Sequence, residues 1–168
     1  MKVVMLGAFA VGKTSLVQQF VNSIFSEKYK TTLGVKIDKK TIELEDQNVD
    51  LILWDLAGED EFMKVRSSYL RGSSGAILVA DGTRPETLDI AIELNHKVNR
   101  EVGHIPFILL VNKSDLINDW EIDQDHLQQL KDSGWVVVEV SALENDNVEY
   151  AFNLLTTEML KVAQLQNV

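Results

Sequence analysis

The sequence predicts a doubly wound α/β domain. Short apolar runs typical of strands alternate with amphipathic runs typical of helices along nearly the whole chain. The first such run, Val3–Leu6, leads into the glycine-rich segment Gly7–Thr14, and a helical pattern containing Leu16 and Phe20 follows. Because most strand-like runs are separated by helical segments, the sheet is expected to be mostly parallel. In such a sheet, ligands bind at the carboxyl ends of the strands.

Six strands are predicted from the apolar runs. They are Val3–Leu6, Val35–Leu44, Val49–Trp54, Ala76–Ala80, Phe107–Val111 and Trp135–Val140. The segment Glu45-Asp46-Gln47-Asn48 predicts a hairpin turn between the second and third strands, which makes one strand antiparallel to the rest. About five helices are expected to flank this sheet.

Several helix ends are marked by capping residues. Thr83 and Glu86 are spaced as a capping box, with Pro85 in the first turn. Asp123 is expected to cap the following helix, which should end at Gly134. The last helix is predicted from an apolar stripe formed by Val148, Phe152, Leu155 and Met159.

Composition limits the classes of protein to which this chain can belong. The 168 residues suit a single domain over 1–168. The chain has no cysteine, which excludes disulfides, thiolate metal sites and thiol catalysis, and its apolar runs are too short for a membrane span. The net charge of −10 argues against nucleic acid and anionic membranes as partners. The absence of cysteine suits a reducing, cytoplasmic setting. We also expect the protein to be a monomer.

The segment Gly7-Ala8-Phe9-Ala10-Val11-Gly12-Lys13-Thr14 fits the pattern G-x-x-x-x-G-K-[ST]. Its backbone N–H groups and the start of the next helix attract phosphate oxygens. Lys13 adds a cation for the outer phosphates, and the Thr14 hydroxyl is a ligand type that Mg²⁺ accepts. The segment therefore predicts a phosphate-binding loop.

Three further strand ends carry polar residues. Asp55-Leu56-Ala57-Gly58 offers a carboxylate that reaches Mg²⁺ through a water and a glycine N–H for a terminal phosphate. In Asn112-Lys113-Ser114-Asp115, the Asp115 carboxylate accepts two N–H bonds from guanine, a donor pair that adenine lacks. An amide N–H in Ser141-Ala142-Leu143 suits the guanine O6. Together these segments predict a guanine nucleotide site.

At these residues the chain resembles the Ras superfamily of small GTPases. Tyr29-Lys30-Thr31-Thr32-Leu33-Gly34-Val35, Trp54 and Ser68-Tyr69-Leu70-Arg71-Gly72 are similar to the Rab-type branch. The resemblance implies a P-loop NTPase G domain that binds GTP and GDP with Mg²⁺ and hydrolyses GTP. It also implies switch segments, about 26–34 and 56–70, that meet protein effectors, an exchange factor and an activating protein.

The resemblance assigns roles to individual residues. Lys13, Thr32, Gly58 and Glu59 are implied to be catalytic, and Thr14, Thr32 and, through water, Asp55 are implied to hold the metal. The implied nucleotide contacts are Phe9, Ala10, Val11, Gly12, Lys13, Thr14, Ser15, Phe25, Asn112, Lys113, Asp115, Ser141, Ala142 and Leu143.

Three residues depart from the family pattern. Glu59 replaces the usual glutamine and has no N–H to donate, so we expect slow intrinsic hydrolysis. Phe9 stands where the family has a small residue, and its ring is expected either to crowd an activator's arginine or to swing outward and cover the nucleotide. Leu143 replaces a lysine that lies along the base. Cysteines for prenylation are missing, so no lipid anchor is expected in this chain.

Other interpretations of the sequence remain open. A guanine-nucleotide-binding module with little or no turnover accommodates Glu59 and Phe9. A nucleotide kinase or ATPase would use the same loop, although Asn112–Asp115 argues against it. The chain is also compatible with a G domain from a longer protein. Trp54 and Tyr69 suit an effector surface and core packing equally well.

Overall fold

A computed structural model describes residues 1–26, 28, 32–44, 47–58 and 65–166. Its six strands are β1 (Lys2–Gly7), β2 (Val35–Leu44), β3 (Gln47–Leu56), β4 (Gly75–Asp81), β5 (Phe107–Asn112) and β6 (Val137–Glu139). They form one sheet in the order β2-β3-β1-β4-β5-β6, in which only β2 and β3 are antiparallel neighbours among the described strands. The predicted sheet is therefore confirmed.

Five helices flank this sheet in the described part of the chain, as predicted. They are α1 (Lys13–Asn22), α2 (Ser67–Leu70), α3 (Glu86–Val102), α4 (Gln124–Asp132) and α5 (Val148–Gln166), and a single 3₁₀ turn spans Ile117–Asp119. The side chain of Asp123 caps α4 by accepting the N–H of Asp125, as predicted. Gly134, with a φ of 95°, follows the end of α4.

The predicted capping box at Thr83 is wrong. The Thr83 hydroxyl donates to Asp81 Oδ1 at 2.7 Å, and Pro85 occupies the position before α3 without a side-chain cap. The buried carboxylate of Asp81 is the stronger acceptor for this hydroxyl, since hydrogen bonds to charged groups exceed those between neutral groups.

The core lies on both faces of the sheet. β1 is buried on both sides: Val3 and Met5 pack toward α1 and α5, whereas Val4 and Leu6 pack toward α3. Each such side chain contributes about 1.5–3 kcal/mol when fully buried. Between α1 and α5, the rings of Phe20 and Phe152 stack with centroids 3.9 Å apart. This packing fixes the carboxyl ends of β1, β3, β4 and β5 at one edge of the sheet.

The sixth strand is shorter than predicted. It spans Val137–Glu139 because Trp135 lies outside the ladder, where its ring packs edge-on against Phe107 with centroids 4.8 Å apart. Ser141 instead forms an isolated antiparallel bridge with Asp146. The predicted hairpin agrees with the pairing of Leu44 with Gln47, while residues 45 and 46 lie outside the described residues.

Among the described helices, none combines the length and apolar character that a membrane span requires.

Candidate functional site

A cavity of about 980 Å³ opens at the carboxyl ends of the strands, where ligands of such sheets bind. Most of the predicted contact residues line it: Phe9, Ala10, Gly12, Lys13, Thr14, Ser15, Phe25, Thr32, Gly58, Asn112, Lys113, Asp115, Ala142 and Leu143. Val11, Asp55 and Ser141 lie buried directly behind this lining. Glu59 lies outside the described residues. Lys13 and Asp115, distant in sequence, thus share one cavity.

The loop between β1 and α1 has the backbone shape of an anion cradle. Ala10 and Gly12 have positive φ angles of 60° and 101°, a backbone conformation typical of loops whose N–H groups form an anion-binding concavity. A Cβ atom on Gly12 would lie 2.2 Å from Asn112 Nδ2, so the position also requires the absence of a side chain. The loop therefore places α1, with its positive N-terminal dipole end, beneath the cavity.

Lys13 lies within this cradle and is only 6% exposed. Its Nζ atom donates to the carbonyl oxygens of Gly7 and Ala8 at 3.1 and 2.9 Å. Burial lowers the pKa of Lys13 to about 8, the charge of Asp55 opposes that change, and the charge of Arg84 adds to it. An ammonium group is therefore held where an anionic ligand would gain most from it.

Three side chains converge at the other side of the loop. Thr14 Oγ1 lies 2.5 Å from Asp55 Oδ2 and 2.7 Å from Thr32 Oγ1, and Thr32 Oγ1 lies 3.5 Å from the same Asp55 oxygen. Burial raises the pKa of Asp55, although the hydrogen bond from Thr14 and the charge of Lys13 oppose the rise. Asp55 Oδ1 is buried and has no hydrogen-bond partner in the described part of the chain. Hydroxyl and carboxylate oxygens with one unsatisfied acceptor fit Mg²⁺, which prefers oxygen ligands.

Gly58 follows β3 and lies directly against the glycine-rich loop between β1 and α1. A Cβ atom there would lie 2.5 Å from Phe9 Cα and 2.9 Å from the Ala8 carbonyl oxygen. The two backbones therefore approach so closely that only glycine fits. The Phe9 side chain is 38% exposed at the mouth of the cavity.

Asn112 joins the loop to the far end of the cavity. Its Nδ2 donates to the Val11 carbonyl at 3.0 Å, and its Oδ1 accepts the Ala142 N–H at 3.1 Å. Ser141 Oγ donates to Asp115 Oδ1 at 2.7 Å, which orients the carboxylate. A base oxygen would have to compete with Asn112 for the Ala142 N–H. The arrangement pairs a fixed carboxylate with nearby donors, as recognition of a purine edge requires.

Sequence reasoning missed the cluster around Asp81. This fully buried carboxylate accepts Lys113 Nζ at 2.5 Å, Arg84 Nε at 3.1 Å and the Thr83 hydroxyl. Arg84 Nη2 also donates to the Phe9 carbonyl at 2.8 Å. Burial alone would raise the pKa of Asp81, but the hydrogen bonds from Lys113 and Thr83 outweigh it and the pKa is lowered. Asp81 therefore links Lys113, through Arg84, to the Phe9 carbonyl of the glycine-rich loop.

Two features of the sequence indicate that buried polar side chains link separate segments in this way. An aspartate ends β4, at the same edge where the other strand ends carry polar residues. Gln19 interrupts the buried side of α1, and its Nε2 donates to the Ala142 carbonyl at 2.8 Å. A polar residue in an apolar pattern indicates a buried hydrogen bond, but its partner is not evident from the sequence.

Trp54 and Tyr69 form a half-buried pair on the sheet face that packs toward α3. Their ring centroids are 6.4 Å apart, and Lys2 Nζ lies 3.8 Å from the Trp54 ring centroid. Ile37, the cross-strand neighbour of Trp54, is largely exposed. These rings therefore combine core packing with an accessible apolar edge.

The fold and cavity agree with comparisons to known proteins. The model of the Ras family matches residues 2–161. The chain is 36% identical over 163 residues to the Ras-related protein Rab11A of Lotus japonicus, covering 96% of this chain and 72% of the relative. It is 37% identical over 171 residues to Rab-32B of Dictyostelium discoideum, covering 97% and 65%, and 37% identical over 165 residues to Rab-7b of Mus musculus, covering 95% and 82%. The chain therefore belongs to the Ras family of small GTPases and is of the Rab type.

Proposed function

We propose that this chain is a guanine-nucleotide switch that binds GTP and GDP with Mg²⁺, hydrolyses GTP slowly, and forms a single G domain over residues 1–168. The observation that carries the proposal is the shared cavity. Lys13, Thr14 and Thr32 line one end of it and Asp115 lines the other, a span that suits a nucleoside with its phosphates.

The loop residues hold the phosphates in this proposal. Lys13 gives its ammonium to the outer phosphates and releases the Gly7 and Ala8 carbonyls that it contacts here. Thr14 and Thr32 would hold Mg²⁺ directly, and Asp55 would hold it through water with Oδ1, which has no hydrogen-bond partner among the described residues. When bound, the metal supplies positive charge that offsets charge on the phosphates. The remaining contacts, Phe9, Ala10, Val11, Gly12 and Ser15, surround the phosphates.

The base is held at the opposite end. Asp115, oriented by Ser141, accepts two N–H bonds from guanine, and Asn112 and Lys113 brace the pocket. Phe25 and Leu143 give apolar contacts to the two sides of the ring system, and the guanine O6 would share the Ala142 N–H with Asn112 Oδ1. Discrimination against adenine follows because the carboxylate would be left with an unsatisfied acceptor.

Hydrolysis depends on how the attacking water is held. Thr32, Gly58 and Glu59 position this water, and Lys13 offsets the charge that develops on the transferred phosphoryl group. Glu59 accepts a hydrogen bond from water but donates none to that group, and it adds a negative charge beside it. Slow turnover is the expected result.

Replacing Glu59 by glutamine should accelerate intrinsic hydrolysis. The amide restores an N–H donor and removes a charge, and one such donor is worth about a hundred- to a thousandfold in rate. Single-turnover GTP hydrolysis of the parent and of Glu59→Gln measures the effect. Glu61→Gln is the matched control, because it removes the same charge from the same acidic run. A Glu59→Gln protein that is slower than its parent would show that the carboxylate assists the water.

The proposed signal is a change in the switch segments 26–34 and 56–70. The γ-phosphate and Mg²⁺ order them, and GDP relaxes them. Thr32 links the first segment to the proposed Mg²⁺ site, because its hydroxyl contacts Thr14 and Asp55. Protein effectors, an exchange factor and an activating protein would meet these segments, with Trp54 and Tyr69 beside them.

Replacing Asp81 by asparagine should loosen nucleotide binding and lower stability together. An amide at this position would turn N–H groups toward Lys113 and Arg84, which are themselves donors. Breaking a buried charge cluster costs about 3–5 kcal/mol, and partial exposure of both cations reduces that figure here. We expect a lower unfolding temperature and about tenfold faster GDP release.

Arg84→Gln separates the two effects of Asp81. It removes only the arm that reaches the Phe9 carbonyl and leaves the Lys113 pair in place. Release of a fluorescent GDP analogue should then be faster than in the parent, with a smaller loss of unfolding temperature than in Asp81→Asn. Unchanged release in both variants would contradict a bracing role.

Two measurements test the proposed function as a whole. Mass spectrometry of the copurifying nucleotide should find GDP or GTP, and an adenine nucleotide would overturn the choice of base. Multiple-turnover phosphate release then separates a switch that hydrolyses GTP from a module that only binds it. The binding-only module is favoured by Glu59. It is the correct function if bound GTP persists without phosphate release.

A further inference from the structure

Lys36 is a cavity residue that the sequence patterns did not single out. On β2 it lies opposite Asp55 of β3, and Asp38 lies opposite Leu53. Because side chains alternate along a strand, Lys36, Asp38 and Lys40 share one face. That face is turned toward α1, since Lys40 Nζ contacts both the carbonyl and the ring of Phe20. Lys36 itself lines the cavity together with Lys13, Thr14 and Thr32.

The ammonium of Lys36 has an alternative partner near the cavity. Its Nζ lies 3.2 Å from Asp38 Oδ2, and its side chain is 47% exposed. The lysine end of this pair is exposed, whereas the Asp38 side chain is only 19% exposed and its Oδ2 atom is buried. The side chain of a lysine is long and flexible, so its ammonium can exchange this carboxylate for a phosphate oxygen, whose larger negative charge offsets the loss of the pair.

The charges around Asp55 support this placement. Lys36 is the cross-strand partner of Asp55, so both side chains leave the same face of the sheet, and Lys36 lines the same cavity as Lys13. Lys36 therefore lies within electrostatic range of the carboxylate at the metal end of the cavity. A second cation there attracts the phosphates and repels Mg²⁺, because like charges compete for the same oxygen atoms.

We propose that Lys36 is a second phosphate cation that partly replaces Mg²⁺, so that this protein retains GDP when the metal is scarce. The inference rests on the proposed function, since it concerns the same nucleotide site. Lys36 acts on the terminal phosphate of the bound nucleotide, and Asp38 holds its ammonium aside when that phosphate is absent.

The test measures release of a fluorescent GDP analogue from the parent as free Mg²⁺ is lowered from saturation to none with a chelator. In Lys36→Met, release without Mg²⁺ should be roughly three- to tenfold faster than in the parent. At saturating Mg²⁺ the two proteins should differ by less than about twofold, because the metal then screens the phosphates. The Mg²⁺ concentration at half-maximal retention should also fall, since a competing cation has been removed.

Three further variants make the result specific. Lys39→Met is the matched control: this neighbouring lysine points to the opposite face and pairs with Asp50 at 2.7 Å. It should behave like the parent. Lys36→Arg should preserve most of the GDP retention seen without Mg²⁺, and Asp38→Asn should slow Mg²⁺-free release by about twofold, because it frees the ammonium.

Two outcomes overturn the inference. Superimposable Mg²⁺ titrations of the parent and Lys36→Met would exclude a phosphate contact, and equal effects of Lys36→Met and Lys39→Met would indicate only a change in net charge. Both differ from failure of the proposed function, in which the parent would not retain GDP even at saturating Mg²⁺.

Discussion

Replacing Lys13 by methionine should reduce GDP affinity about a thousandfold. The ammonium would make two charge-assisted hydrogen bonds to phosphate oxygens, together worth about 4 kcal/mol. Methionine has a similar length and no charge, so the buried position stays filled. The expected result is a smaller GDP-dependent thermal shift and a calorimetric Kd about a thousandfold weaker than in the parent, with Mg²⁺ present throughout.

The fold should survive this change. Keeping a charged amine in this buried position is unfavourable, as the pKa of about 8 shows, and its removal offsets the loss of hydrogen bonds to Gly7 and Ala8. The nucleotide-free variant should therefore unfold within a few degrees of the nucleotide-free parent. Lys161→Met is the matched control, because Lys161 is an exposed lysine paired with Glu158 on α5.

The pH dependence of GDP affinity distinguishes Lys13 from other titratable groups. Phosphate binds the charged amine, so binding raises its pKa above the value of about 8 in the free protein. GDP affinity of the parent should be level below about pH 8 and should fall about tenfold by about pH 9, as the amine of the free protein loses its proton. In Lys13→Met this fall should be absent. Equal slopes in both proteins would exclude Lys13 as the titrating group.

Replacing Asp115 by asparagine should exchange guanine preference for xanthine preference. The carboxylate would accept two N–H bonds from guanine, and each hydrogen bond to a charged group is worth about 1.5–3 kcal/mol. An amide offers one acceptor and one donor, and the donor faces the guanine amino group. GDP affinity should fall about a hundred- to a thousandfold. Xanthine has an oxygen in place of that amino group, and this oxygen accepts the new N–H.

Competition between GDP and xanthosine diphosphate measures the exchange. The parent should prefer GDP, since its carboxylate would face the xanthine oxygen. In Asp115→Asn, the Ser141 hydroxyl can still donate to the amide oxygen, so the loop geometry should be kept. Asp119→Asn is the matched control, because it removes the same charge from an exposed position in the 3₁₀ turn that follows. A variant that still favours GDP would show that Asp115 does not read the base.

The strand pattern and the phosphate loop could be predicted because both depend on neighbouring residues. β2 begins and ends where the apolar and β-branched residues indicate, at Val35 and Leu44. The Gly12 backbone needs a positive φ angle, and the residues around it already carry that information. The capping of α4 by Asp123 is local in the same way.

Predictions failed where a buried carboxylate took a hydrogen-bond donor that the local pattern assigned to another role. Thr83 was expected to cap α3, but Asp81 takes its hydroxyl because that carboxylate is fully buried and needs donors. Arg84 had no expected role, although it joins Asp81 to the Phe9 carbonyl, 75 positions away in sequence. Nothing in the sequence indicates that Arg84 and Phe9 meet.

The amino-acid order alone determined the alternation of strands and helices and the glycine-rich turn between β1 and α1. Each is written in a short stretch of chain whose backbone conformation and side-chain chemistry are set locally. Tertiary structure alone decided that Asp81 pairs with both Lys113 and Arg84, and that Lys36 rather than Lys39 faces the cavity. Those contacts depend on strand order and pairing register, in which a shift of one residue would turn every side chain of β2 to the other face.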